Sequence, residues 1–216
     1  MRTLLAACLL STLAVSGRAA ADEPPPGPDG ASGAEADPTW RRHLGLYIRP
    51  DVGFGYMSMS ASGGGPGVGR VAATFGIAVG SAVSENNLIA FHVWSSAISK
   101  PSGLAGSWGE FDKFFALTGF GFEYTAYSSQ NFYFSISPSV THLHLYNVND
   151  TDRDKDSNWG LGARFAVGKE WWVADHWGVG VAAHLSGSVN YDAWNRNVNA
   201  WWSTWTATIA FSATYN

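Results

Sequence analysis

From about residue 40 onward, apolar residues recur at every second position, and no segment keeps a helical period over a useful length. The clearest stretch runs from Trp159 to Asn190. In its first half Trp159, Leu161, Ala163, Phe165, Val167 and Trp171 alternate with Gly160, Gly162, Arg164, Ala166, Gly168 and Glu170. After a short break at Val173 to His176, the apolar set Trp177, Val179, Val181, Ala183, Leu185 and Val189 alternates with Gly178, Gly180, Ala182, His184, Ser186 and Ser188. A period of two puts successive side chains on opposite faces, so each half has an apolar outside and a small or polar inside. Each half is about as long as the roughly 9–11 residues that a tilted strand needs to cross a bilayer, and tryptophans stand at its ends.

The same alternation predicts six further strands. Strand one covers about His43–Tyr56, with Leu44, Leu46, Ile48, Val52, Phe54 and Tyr56 outward and Tyr47, Arg49, Asp51, Gly53 and Gly55 inward. Strand two covers about Arg70–Val83. Strand three, Leu88–Ile98, puts His92 and Trp94 inward, and strand four, Lys113–Tyr127, puts Gly119, Gly121 and Glu123 inward. Strand five starts at Phe132 and loses its phase near THLHLY, where a bulge is expected. Strand eight covers Trp201–Tyr215. Connections are long after strands one, three, five and seven and short after two, four and six. Short turns at one end and long loops at the other describe an all-β, eight-stranded antiparallel up-and-down transmembrane β-barrel, with both termini on the periplasmic side. Closure also answers the backbone problem, since an unpaired strand edge in lipid leaves groups costing several kcal/mol each.

Ahead of the barrel, residues 1–21 combine Arg2, an apolar run from Leu4 to Val15 and the small exit residues Ala19 and Ala21, which reads as a cleaved signal peptide. Cys8, the only cysteine, falls inside that run, so the mature chain has no thiol chemistry. Residues 22–39 hold five of the nine prolines and five acids and are expected to be a disordered periplasmic linker. Residues 40–216 then carry 11 bases and 12 acids. A nearly neutral fold without a basic stripe argues against a nucleic-acid partner. Nothing in the pattern calls for a cofactor.

With its leader, its eight alternating segments and its closing strand WWSTWTATIAFSATYN, in which Trp205, Ile209, Phe211 and Tyr215 share a face, the chain resembles small bacterial outer-membrane barrels of the OmpA, OmpX and OmpW type. The resemblance covers roughly residues 40–216. It implies a Gram-negative outer-membrane location, contact with outer-membrane lipid and lipopolysaccharide, and recognition of the C-terminal strand by the barrel-assembly machinery. Tyr56, Trp159, Trp171, Trp177, Trp205 and Tyr215 are the expected interface aromatics.

Candidate chemistry is sparse. The inward charges Arg49, Asp51, Glu123, Arg164 and Glu170, with His92 and His184, form either a salt-bridged plug or a polar ion path. Inward glycines, alanines and serines suggest unfilled volume beside them. Asp150, Asp152, Asp154 and Asp156 resemble the start of a calcium loop, although Arg153 and Lys155 interleave and the glycine and distal glutamate of that pattern are missing. His142 and His144 face the same way and are a candidate transition-metal pair without an identifiable third ligand. A lipid hydrolase would need a nucleophile beside such a base, but Ser139 and Thr141 fall on the opposite face of the strand. The loop aromatics Trp108, Phe111, Trp194 and Trp201 are candidates for a partner surface. The reading is a non-enzymatic envelope barrel with a structural or loop-presenting role. A narrow porin-like conduit and a lipid-modifying enzyme are the alternatives.

Overall fold

The computed structural model describes residues 43, 45–62, 67–99, 113–147, 155–191 and 201–216, with the side chains of 113, 147, 155 and 156 left aside. Among these residues nine strands appear: β1 Leu46–Ala61, β2 Val68–Ser84, β3 Asn87–Ser99, β4 Lys113–Tyr127, β5 Phe132–Asn147, β6 Lys155–Asp156, β7 Gly160–Trp172, β8 Trp177–Tyr191 and β9 Trp201–Tyr215. Eight of them close into a barrel in which each long strand pairs antiparallel with its neighbours in the chain, and β9 returns to β1. The fold is therefore the eight-stranded up-and-down barrel that the alternation predicts. The leader and the linker, residues 1–39, lie outside the described residues.

Register fixes the barrel's dimensions. Following paired residues from Pro50 through Ile77, Val93, Phe120, Val140, Leu161, Val189 and Ser203 returns to β1 at Ser60, a stagger of ten residues. Eight strands with that stagger tilt by roughly 40° from the axis, which leaves an interior only as wide as interdigitating side chains. Stagger also decides which inward residues meet. Residues far apart in sequence, such as Arg49 and Glu123, come to the same level.

The outer face is apolar from every strand, with Val52, Phe75, Phe91, Phe122, Val181 and Phe211 among its exposed residues. Aromatics bracket this band. Trp171, Trp177 and Tyr215 stand at the short-turn end, the last two rings 5.3 Å apart, and Tyr56, Trp159 and Trp205 at the other, with Tyr56 and Trp205 5.7 Å apart. Ten residues of β9 separate Trp205 from Tyr215; at about 3.3 Å per residue and a tilt of roughly 40° the two girdles lie about 25 Å apart. That is the height of the lipid-facing band in transmembrane barrels. Exposed side chains of this kind would not be tolerated in water over so large a continuous surface.

Two details differ from the sequence reading. β1 runs on to Ala61, so Met57 and Met59 continue its inward face. The bulge expected in THLHLY is on the other side of the ladder. β5 keeps its phase throughout, with Leu143 and Leu145 inward and His142 and His144 outward. Two steps along β5, from Thr141 to Leu143, are matched by three from Gly160 to Ser157. Ser157 stabilises the extra residue: its Oγ accepts from Leu143 N at 3.0 Å and donates to Asn158 O at 2.8 Å. β6 is the continuation of β7 beyond this bulge. Further gaps fall in the β4–β5 ladder opposite Pro138 and in the β1–β9 ladder at Pro50, neither of which has an N–H to donate, and the β2–β3 register shifts between Ala82 and Ser84.

Candidate functional site: a layered, filled lumen

Inward positions form three layers along the axis. At the short-turn end Tyr47, Leu88, Tyr127 and Tyr133 pack with the small residues Ala78, Ala90, Ala166 and Ala182. His43 enters this mouth ahead of β1, its ring 3.8 Å from that of Tyr127 and 5.3 Å from that of Trp172. Gly45, at φ 77°, makes the turn that brings it there, a conformation glycine adopts without strain. Burial lowers the His43 pKa from its ordinary value to about 4, outweighing the raising effect of Asn216.

The middle layer holds the charges. Arg49 Nη2 donates to Glu123 Oε1 at 2.5 Å and Arg164 Nη2 to Asp51 Oδ1 at 2.7 Å, and all four side chains are at most 6 % exposed. Thr125 Oγ1 and Ser135 Oγ add bonds to the Glu123 carboxylate at 3.1 and 3.4 Å. His92 Nδ1 sits 3.1 Å from Ser137 Oγ and 3.4 Å from Glu123 Oε2. Arg164 also contacts His184 Nδ1; since a guanidinium only donates, that imidazole nitrogen presents its lone pair. Pairing of this quality offsets the several kcal/mol that each ion loses on leaving water. Above, Trp94 Nε1 donates to Ser139 Oγ at 3.0 Å and roofs the charged layer.

The long-loop end is closed by an apolar cap. Met57, Met59, Val68, Ile98, Phe115, Leu117, Leu143, Leu145 and Trp202 pack with Trp94 into one buried cluster. A polar sector on β5, β8 and β9 borders it, where Asn190 Nδ2 donates to Thr141 O at 3.0 Å.

This layering brings together six of the seven predicted lumen residues, Arg49, Asp51, Glu123, Arg164, His92 and His184, as paired groups. Glu170 stands apart from them in the mouth, accepting from Thr214 Oγ1 at 2.7 Å. The inward glycines do not leave the volume expected of them. A Cβ on Gly119 would overlap the Trp94 indole, and one on Gly76 would overlap the Asp51 carboxylate. These glycines are the room that large neighbours occupy.

Of the other candidates, His142 and His144 lie on the outer face at the rim, their ring centroids 6.4 Å apart, against Trp159 at 5.2 Å and Tyr146 at 3.8 Å. Ser139 and Thr141 point into the lumen, on the opposite face of β5 from these histidines. Among the described residues no group of three or more histidine, cysteine or acidic side chains is arranged for a metal. Asp150, Asp152 and Asp154, and the loop aromatics Trp108, Phe111 and Trp194, lie outside the described residues, as does the side chain of Asp156. Trp201 is exposed and packs on Tyr191 at 5.2 Å. Sequence reasoning missed Met57 and Met59, Ser137 and Thr214; continuing the inward parity of β1, β5 and β9 would have found them.

This is the fold of a small outer-membrane barrel. No family model matches the chain, and neither does any curated protein. Among solved structures it is similar to neisserial surface protein A, at 14 % identity and a TM-score of 0.47, over 77 % of this chain and 95 % of that one. OprG from Pseudomonas aeruginosa matches at 11 % identity and 0.43, over 82 % and 99 %. The outer-membrane protease OmpT from Escherichia coli matches at 11 % and 0.39, over 78 % and 96 %. Likenesses at these identities and scores carry no activity over to this chain.

Proposed function

We propose that this chain is a non-enzymatic integral barrel of the bacterial outer membrane that conducts no solute and acts through the surface its long connections present. The observation behind this is the filled lumen. Tyr47, Trp94, Met57, Leu117 and Leu143 are each fully buried within it, and two ion pairs lie between the apolar cap and the aromatic mouth. A barrel so packed has its free chemistry at its ends, and the longer end is where scaffolds of this kind carry binding residues. In this reading the short turns and both termini face the periplasm, β9 is read by the assembly machinery, and the aromatic girdles seat the barrel against phospholipid and lipopolysaccharide.

The test is a variant in which the three longest connections, residues 100–112, 148–154 and 192–200, are replaced by short turns. It should fold into membranes with wild-type heat-dependent gel mobility while losing the envelope phenotype of the intact protein. A folded short-loop barrel that restores every phenotype of a deletion strain would overturn the loop-presentation reading.

A further inference from the structure

We propose that the outer wall of the barrel carries, at its short-turn rim, a site for the phosphodiester of one anionic phospholipid, with Lys169 as its cation. The proposal rests on the orientation given above, in which that rim meets the phospholipid leaflet. Among the described residues, Lys169 alone of the outward positions on the long strands is a lysine, arginine, aspartate or glutamate. It alternates with Val167 and Trp171, both exposed, on the lipid side of β7. No carboxylate pairs with it among the described residues. A cation on a lipid-facing wall is tolerated only where its head reaches the head-group layer. With no acid of the protein beside it, its counter-charge is left to the lipid.

The ammonium is positioned by the wall itself. Phe132 is the partner of Lys169 in the β5–β7 ladder, and Lys169 Nζ lies 4.0 Å from the centre of its ring and 5.9 Å from that of Trp171. Nζ also donates to Gln130 O at 2.9 Å, so the stem runs along apolar surface and the head ends at the turn. That turn is held firmly. Ser128 Oγ accepts from Gln130 N at 3.4 Å and from Phe132 N at 3.2 Å. Asn131, at φ 58°, is in the left-handed region that asparagine enters more readily than most residues, and its carbonyl accepts from Glu170 N at 3.0 Å. The turn between β4 and β5 is thereby tied to β7. An ammonium has three donors. One is used on Gln130, and two remain for phosphate oxygens.

The surroundings decide the class of ligand. On the membrane side of the ammonium, Phe134, Val167 and Val181 form an exposed apolar wall along which acyl chains lie. Trp171 stands at the rim, where indoles meet head groups. A free phosphate ion makes no use of that wall, whereas a lipid phosphodiester uses the charge and the wall together. Among the described residues no acid occupies an outward position of β5, β7 or β8 to receive the ammonium of a zwitterionic head group. An anionic head group needs no such partner.

Native mass spectrometry tests this on the refolded full chain in a neutral detergent, with phosphatidylglycerol and phosphatidylcholine of matched acyl chains at equal concentration. Wild type should retain one phosphatidylglycerol about fivefold in preference to phosphatidylcholine, the factor expected of one lysine beside an anionic head group. Lys169→Gln should bring the two lipids to parity, and Lys169→Arg should keep the preference. The assay is indifferent to what the long connections present and to whether the lumen conducts, so its failure leaves the proposed function standing, and failure of that function leaves this result standing. Equal retention of the two lipids by wild type would overturn the proposal without recourse to any variant. An unchanged preference in Lys169→Gln would overturn it too. Displacement of the lipid by inorganic phosphate would overturn the assignment to a lipid, because the ion alone would then satisfy the site.

Discussion

Removing Glu123 exposes how the charged layer is held. In Glu123→Ala the Arg49 guanidinium, 4 % exposed and with Nη1 already unpartnered, loses its 2.5 Å acceptor, and Thr125 and Ser135 lose theirs. Breaking a buried pair by deleting one partner costs about 3–5 kcal/mol, because the remaining charge is stranded. Arg49→Met should cost a similar amount. The double variant Arg49→Met/Glu123→Leu puts two apolar side chains of fitting size in their place, and it should lose at least about 2 kcal/mol less than the sum of the single losses. Urea unfolding of the variants in lipid vesicles, followed by tryptophan fluorescence and gel mobility, measures all three. If each single change cost under about 1 kcal/mol and the two simply added, the pair would be behaving like a hydrated surface pair. The filled lumen would then be wrong.

Three further outcomes follow from the same geometry. Gly119→Leu drives side-chain atoms into the Trp94 indole and should destabilise the barrel by about 1–3 kcal/mol, and Trp94→Ala in the same chain should recover part of that loss in the vesicle assay. Phe211→Arg, on the middle of the lipid belt where Phe211 is 54 % exposed, should cost about 2–4 kcal/mol, whereas Trp177→Arg at the girdle should cost at most about 1. His43, with its pKa lowered to about 4, binds its proton later in the folded state than the ordinary 6.5 of the unfolded chain. Its contribution is therefore intact above pH 6.5 and is lost as the pH falls from there to about 4, by up to about 3 kcal/mol; unfolding titrations across that range should show a slope that His43→Phe removes.

Alternation made the strands legible because a barrel wall in lipid has one apolar face throughout, so Val179, Val181 and Leu185 or Phe120 and Phe122 announce their side without any knowledge of partners. The inward charges were legible for the same reason. Their pairing was not: Arg49 meets Glu123, and Arg164 meets Asp51, only through a stagger of ten residues that no single strand records. The apolar cap was hidden differently. At the long-loop end of β5 the inner face turns apolar, so Leu143 and Leu145 inside, against His142 and His144 outside, invert the pattern, and THLHLY reads like a bulge. Glycine misled most. A missing side chain suggests space, but Gly119 and Gly76 are small because Trp94 and Asp51 stand in front of them. Volume is a property of facing residues, and these come from different strands.

Single-channel recording of the refolded full chain in a planar bilayer tests the closed lumen most directly. A well-folded barrel that stays silent in symmetrical salt is the predicted result. Steady, reproducible openings of the wild-type protein would contradict it, and would mean that the cap around Met57, Phe115 and Leu143 parts in the membrane.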